Sequence, residues 1–241
     1  MDLNSKFLAF DTSTDTMSVA LTNGVQVWQH TGPGGAKASS TLIPAILALL
    51  ARAGLTLGDL QAIAFGRGPG SFTGLRTACA VAQGLAFGAN QGAGIPVLPI
   101  DTLMAVAEEA RLQQPSPLIT ALLDARMDEM YLQRYACNHD VLRPLGDCEL
   151  IRPEALAARA GTLYAGNVFD VYQGRLAQGL NSVTCLPTAT AMLRLAPRLA
   201  AAGQCVRADQ ALPLYVRDKV AQTTLERQAA KAVKSPATSA E

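Results

Sequence analysis

The sequence predicts an α/β protein of two related lobes, and three observations carry that reading. At 241 residues the chain is longer than one typical domain and shorter than three. Apolar residues make up 49% of it and charged residues 16%, against a usual charged share of about 25%. That composition buries a core and is not that of a disordered chain. The third observation is order. Strand and helix patterns run β-β-β-α-β-α-β through the first half, and the second half opens with a hairpin, strand, helix, strand and helix. The halves share no visible sequence identity, so the duplication rests on that order alone.

Lys6–Phe10 reads as a short buried strand ending at Asp11, and Met17–Thr22 as a second. Asn23-Gly24 offers the positive φ angles of a type I′ turn, so Val25–Gln29 should pair back as a third. The loop Gly32-Pro33-Gly34-Gly35 leads to a helix over Ser40–Ala53 that Gly54 stops. Strand Ala62–Gly66, a glycine-rich loop, helix Gly74–Gly88, strand Ile95–Ile100 and helix Thr102–Gln114 follow. Pro115-Ser116-Pro117 is the best break in the chain. Beyond it come a hairpin of Leu118–Asp124 with Met130–Ala136, a strand at Cys148–Ile151, and a helix opening at Pro153. Strand Leu163–Gly166 and helix Ala189–Ala202, kinked at Pro197, complete the second half. The expected organisation is a first lobe over 1–103, joined by a returning segment at 213–222, a second lobe over 104–212, and a flexible tail over 223–241.

Charge and inventory exclude several functions. Lys and Arg number 20 against 19 Asp and Glu, a net charge of +1, without the basic excess of a tight nucleic-acid binder. Aromatics at 5% do not build a stacking platform for single strands. Five scattered cysteines (Cys79, Cys137, Cys148, Cys185, Cys205) lack C-x-x-C spacing and read as small buried hydrophobes in a reducing compartment. No apolar run reaches the roughly 18 residues of a membrane span, and the first residues do not have the build of a signal peptide. A soluble, cytoplasmic protein is expected. The two histidines, His30 and His139, fall in predicted loops and on no His-x-x-x-His helix, so a metallopeptidase site and any other metal site are not expected. Ser71 is not in a Gly-x-Ser-x-Gly elbow, which argues against a hydrolase triad.

Two loops look like phosphate cradles and fit imperfectly. Gly66-Arg67-Gly68-Pro69-Gly70-Ser71-Phe72-Thr73-Gly74 links a strand to a helix, the usual place for a phosphate. It fits neither the Walker A register nor the dinucleotide fingerprint. The other reading is structural: Gly66, Gly68, Gly70 and Gly74 shape a tight, closely packed turn. Asp11-Thr12-Ser13-Thr14 resembles the Asp-x-Gly-Thr loop of actin-like ATPases and sugar kinases, with Ser13 where those have glycine. Asp11 there either serves a remnant site or caps a turn.

The strongest physical signal lies in two helices that are apolar all the way round. The first carries Leu42, Ile46, Leu49 and Leu50 among further apolar residues, with Thr41 and Arg52 its polar ones; the second carries Ala78, Cys79, Ala82 and Leu85. A helix apolar on every side is buried on every side. Either both are sandwiched between the lobes, or a partner covers them. The partner surface is preferred, because two helices on one sheet of a small domain each normally keep a wet face.

Read together, these segments resemble the TsaB (YeaZ) family, which belongs to the bacterial machinery that makes threonylcarbamoyladenosine in tRNA. The resemblance runs over about residues 6 to 221. It is carried by Gly66–Arg76, by Asp11-Thr12-Ser13-Thr14 with Ser18-Val19-Ala20-Leu21, by Leu123–Tyr131, and by Leu214–Ala221, in that family's order and spacing. It implies an actin-like (ASKHA), ribonuclease H-like fold of two lobes, each a mixed sheet flanked by helices. It also implies a non-catalytic subunit that pairs through its first-lobe helices with the transferase TsaD, on which pair the ATPase TsaE docks. On this reading Leu42, Ile46, Leu49, Leu50, Ala78, Cys79, Ala82 and Leu85 form the docking seam. Asp11, Ser13 and Arg76 line a vestigial nucleotide cleft, and no cofactor is held except ATP or ADP at the complex interface. The positions of the two metal-binding histidines of TsaD fall on Pro99 and Leu103 here. The chain departs from the family pattern at Ala38, where many relatives have histidine, and in its glycine-rich 32–35 loop. The rival is an active actin-like ATPase or kinase; a third reading is a homodimer through the same helices.

Overall fold

The structure, a computed structural model, describes residues 5–217 apart from Asp140 and the side chain of Ala36. The expected tail over 223–241 lies outside the described residues.

The first sheet comprises β1 (Phe7–Asp11), β2 (Thr16–Thr22), β3 (Val27–Pro33), β4 (Ala62–Gly68) and β5 (Val97–Asp101), in the order β3-β2-β1-β4-β5. β1 pairs antiparallel with β2 and parallel with β4. Being central and covered on both faces, β1 is apolar without alternation. The two faces still differ in size. Leu8, Phe10, Val19, Leu21, Ile63 and Phe65 point to one side, and the alanines Ala9, Ala20, Ala62 and Ala64 to the other. The large side carries helices α1 (Ala38–Ala53) and α2 (Phe72–Gly88). The alanine side lets helices come close.

The second sheet, β6 (Leu118–Arg126), β7 (Glu129–Asn138), β8 (Val141–Pro144), β10 (Thr162–Gly166) and β11 (Ser182–Thr184), runs β11-β10-β6-β7-β8, with β9 (Glu149–Ile151) also paired to β7. β6 pairs antiparallel with β7 and parallel with β10, repeating the arrangement of the first sheet. The duplication that element order suggested is therefore present in strand topology.

Between the sheets lie α3 (Thr102–Gln113) and α4 (Ala189–Ala201). α3 packs mainly on β6 of the second sheet, and α4 mainly on β1 and β2 of the first. They are joined by charge. The buried Glu108 accepts from Arg111 at 2.8 Å and Arg194 at 3.0 Å, while Arg194 also reaches Glu109 at 3.0 Å. The sandwiched helices are thus α3 and α4. α1 and α2 cover an outer face, so the reading that places those two between the lobes fails.

Three local expectations are corrected. In the β2–β3 turn Gly24, at φ +93°, takes the first central position and Asn23 has no positive φ, a II′-like rather than I′ arrangement. The helix expected from Pro153 is a single 3-10 turn, Pro153–Ala155. There the buried Tyr164 hydroxyl receives the Arg159 N–H at 2.8 Å and donates to the Ala157 carbonyl at 3.1 Å, supplying partners a helix would have supplied itself. His30 lies on β3 rather than in a loop, while His139 sits in a turn at φ +43°.

Candidate functional site

Two features stand out: a cleft between the lobes and the outer face of α1 and α2.

On the first-lobe side of the cleft, the two glycine- and hydroxyl-bearing loops are folded onto each other. The Ser13 carbonyl accepts from the Ser71 N–H at 2.7 Å, and the Thr12 hydroxyl donates to the Gly74 carbonyl at 2.7 Å. A Cβ at Gly74 would stand 1.8 Å from the Thr12 oxygen, one at Gly70 2.6 Å from the Ser13 Cβ, and one at Gly68 2.5 Å from the Leu214 oxygen. At Gly66 it would stand 1.8 Å from the Asp11 carboxylate. Gly68, Gly70 and Gly74 are needed for close backbone approach and Gly66 for room beside the Asp11 carboxylate, the structural reading of the loop.

Asp11 is completely buried beneath that contact. Its carboxylate accepts the Ser13 N–H at 2.8 Å and the Ser13 hydroxyl at 2.6 Å, with Thr102 at 3.5 Å. Burial raises its pKa to about 6, and the hydrogen bonds from Ser13 and Thr102 only partly offset that. Asp11 therefore does not line the cleft as the sequence reading has it; it caps the 11–14 turn from below. Ser13 does face the cleft. Arg76 does not. Its guanidinium lies over the Phe72 ring at 3.9 Å and donates to the Tyr215 hydroxyl at 3.1 Å, on the exposed flank of α2. The 11–14 loop, with a side chain in place of glycine and with the Ser13 N–H and the Thr12, Ser13 and Thr14 hydroxyls bonded within the chain, does not fit a polyphosphate.

The cleft itself has a volume of about 570 Å³. Its second-lobe wall is Leu123, Asp124, Ala125 and Tyr131, with Asn167 beside them. Arg126, Met127 and Asp128, at the tip of the β6–β7 hairpin, all have positive φ, between +57° and +61°. Arg126 reaches across the mouth to Asp15 at 2.8 Å. The last described stretch, 203–217, forms a strap. It bridges Val206 to Val97, offers the Ala211 carbonyl to Cys79 (3.1 Å) and Gln83 (2.8 Å), and ends with Arg217 on Glu129 at 2.6 Å. It thus runs along α2 and finishes on the other lobe. Sequence reading named this segment as returning but not what it touches; its contacts with α2 run through the backbone carbonyl of Ala211, a residue with no charge or motif.

On the outer face, Leu42, Ile46, Leu49, Leu50, Ala78, Cys79 and Ala82 are all buried against the chain's own sheet and strap. Leu85 alone of the expected seam keeps partial exposure. A partner cannot reach the buried seven without unfolding the lobe, so the seam as assigned from sequence is on the wrong arc. The arc that faces outward is also apolar. Ile43 (41% exposed) and Leu47 (51%) continue into Ala51 at four-residue spacing, and on α2 Ala80 and Gly84 lead to Phe87 (71%) and Gly88. Small-residue spacing on α2 was the signal available for it. Pro99 is half-buried on β5 and Leu103 is buried between the sheets. Among the described residues no group of three His, Cys, Asp or Glu side chains could hold a metal ion. None of their helices is long and apolar enough to cross a membrane. Cys79 and Cys185 are buried, the other three cysteines partly so. Burial pushes the Cys148 and Cys185 thiols up to about 12, leaving them poor nucleophiles at neutral pH.

Comparison with known proteins meets this geometry. The family described as "TsaD: tRNA N6-adenosine threonylcarbamoyltransferase" matches residues 29–234. The tRNA threonylcarbamoyladenosine biosynthesis protein TsaB of Escherichia coli K12 is 34% identical, over 90% of this chain and 96% of its own. The TsaB protein of Haemophilus influenzae is likewise 34% identical, over 90% and 95%. The solved structure of YeaZ from Pseudomonas aeruginosa is 38% identical and superposes with a TM-score of 0.79, covering 88% of this chain and 100% of that one. A two-lobed frame with a duplicated sheet, an apolar pair of outer helices and this degree of identity along nearly the whole length lead to one conclusion: the chain belongs to the TsaB (YeaZ) family of tRNA threonylcarbamoyladenosine biosynthesis proteins.

Proposed function

We propose that this chain acts in the bacterial synthesis of threonylcarbamoyladenosine in tRNA as a non-catalytic subunit, pairing with and activating the transferase TsaD. The observation that carries the reading is the outward arc of α1 and α2. Ile43, Leu47 and Phe87 stand in water beside small residues that let another helix pair come close. An exposed apolar surface of this kind marks a partner site. The packing of the 11–14 loop against the 66–74 loop supports a chain that holds no nucleotide of its own, so ATP or ADP belongs at the complex interface. The ATPase TsaE docks on the assembled pair. Without TsaD the same arc self-associates, because a two-fold dimer covers it with a copy of itself.

The test is to mix the purified chain with TsaD and follow size-exclusion chromatography with light scattering, running each alone beside the mixture. The expected result is a heterodimer that forms as the homodimer disappears. No complex under any nucleotide condition, together with saturable ATP hydrolysis by the isolated chain, would overturn the reading in favour of an actin-like ATPase.

A further inference from the structure

The interlobe cleft offers hydrogen-bond donors that nothing among the described residues uses. Tyr131 on β7 is 7% exposed and faces the cleft, and its hydroxyl has no hydrogen-bond partner among the described residues. Asn167 is oriented by its Oδ1, which accepts the Asp124 N–H at 2.9 Å; its amide nitrogen has no partner among the described residues. Ser71, at the N-terminus of the 17-residue α2, makes no capping bond with its side chain, so the positive end of that helix opens on the cleft without a side-chain cap. Arg217 gives its Nη2 to Glu129 and the Arg126 carbonyl, while among the described residues its Nη1 meets the Met127 sulfur at 3.3 Å. A thioether is a weak acceptor.

The acceptors, by contrast, are taken. Asp124 receives the Tyr172 hydroxyl at 2.7 Å and the Arg126 N–H at 2.8 Å, and Asp15 is paired with Arg126. The charged lining residues are Asp15, Asp124, Arg126 and Arg217, a formal sum of zero without a lysine. A triphosphate would bring three or four negative charges that this lining does not match. A single carboxylate matches the free donors. Leu75 and Leu123 supply an apolar floor, and the volume of about 570 Å³ lies in the range of small-ligand sites.

We propose that the interlobe cleft binds a monocarboxylate with an apolar body, its carboxylate held by the Tyr131 hydroxyl, the Asn167 amide and the start of α2. This inference is independent of pairing with TsaD, since the cleft belongs to one chain.

The experiment is calorimetric titration of the full chain with N-acetyl-L-leucine, with N-acetyl-L-leucinamide and tripolyphosphate as controls. Saturable binding of the carboxylate is expected, with the neutral amide weaker by roughly tenfold or more, the worth of a hydrogen bond to a charged group. Tyr131→Phe keeps the ring in place and should lower affinity by a similar factor, as should Asn167→Ala, with thermal unfolding showing that both variants are folded. Equal binding of acid and amide, tighter binding of tripolyphosphate at the same site, full affinity in the folded Tyr131→Phe variant, or no saturation at millimolar ligand would each overturn the proposal.

Discussion

The two lobes share a frame and differ in what covers it. In the first, the connections from β3 to β4 and from β4 to β5 are the long helices α1 and α2. In the second, the connections into β10 and from β10 to β11 are turns and irregular chain over 152–181, anchored by Leu156, Val168 and Tyr172 on the sheet. The sheet order is the same, so the cover is not dictated by the frame. A helix has an outward arc as regular as its inward one, and here that arc is apolar; irregular chain turns its apolar residues in singly and leaves polar atoms to water. One lobe therefore presents a continuous apolar arc to its surroundings and the other does not.

Substitutions that break the shared frame should have the largest effects. Gly74 in the first lobe and Gly166 in the second each sit where a Cβ would stand 1.8 Å and 1.7 Å from a backbone oxygen. Gly74→Ala and Gly166→Ala should each cost at least ~3 kcal/mol, since backbone cannot yield as a side-chain tip can. Chemical denaturation measures this; a loss below 1 kcal/mol in either would mean that the loops are not held as described.

Changes to the cover sharpen the contrast. Leu47→Arg on the exposed arc of α1 should leave the unfolding temperature within a few degrees of the parent and lower association with TsaD at least a hundredfold, through a charge buried in an interface. Val171→Arg, equally exposed on the other lobe, should change neither. Ala82→Arg is the wrong test of docking, because Ala82 is fully buried and the variant should unfold. Association lost equally with Val171→Arg would erase the difference between the lobes.

A smaller effect comes from Asp11, buried at the end of β1. Its folded pKa of about 6 lies above the ordinary 3.8, so the folded state holds the proton more tightly. Its ionisation therefore opposes folding progressively as pH rises from about 4 to 6 and fully above, by up to roughly 3 kcal/mol. Asp11→Asn should be more stable than the parent at pH 8, with the gap closing below pH 4. Urea midpoints across pH 4 to 8 read this, and a gap constant with pH would show that Asp11 does not titrate there. Least of all, Arg126→Ala removes an exposed ion pair with Asp15 and should cost under about 1 kcal/mol, less in high salt.

Much of the frame was legible because it is local. The apolar run Phe7–Phe10, the glycine at 54 that takes φ +64°, and the hairpin runs of β6 and β7 each declare themselves within a few residues. What was not legible depends on distant partners. β8 and β11 are short strands, four and three residues, defined by their neighbours rather than their own pattern. The missing helix after Pro153 depends on a hydroxyl from Tyr164. The outward arc was missed for a related reason: α1 and α2 are apolar all round, and only the sheet decides which side is inside. The family resemblance gave the helices but not their rotation, and it placed Arg76 in a cleft that the stacking on Phe72 keeps it out of.

The strap also sets the order in which the molecule can be finished. α2 gives the Cys79 and Gln83 side chains to the carbonyl of Ala211, 132 and 128 residues later. During synthesis, at roughly 5–20 residues per second, those partners arrive on the order of ten seconds after the helix has emerged. The lobe that is made first is thus completed last, and for that interval its helix flank waits uncovered on the nascent chain.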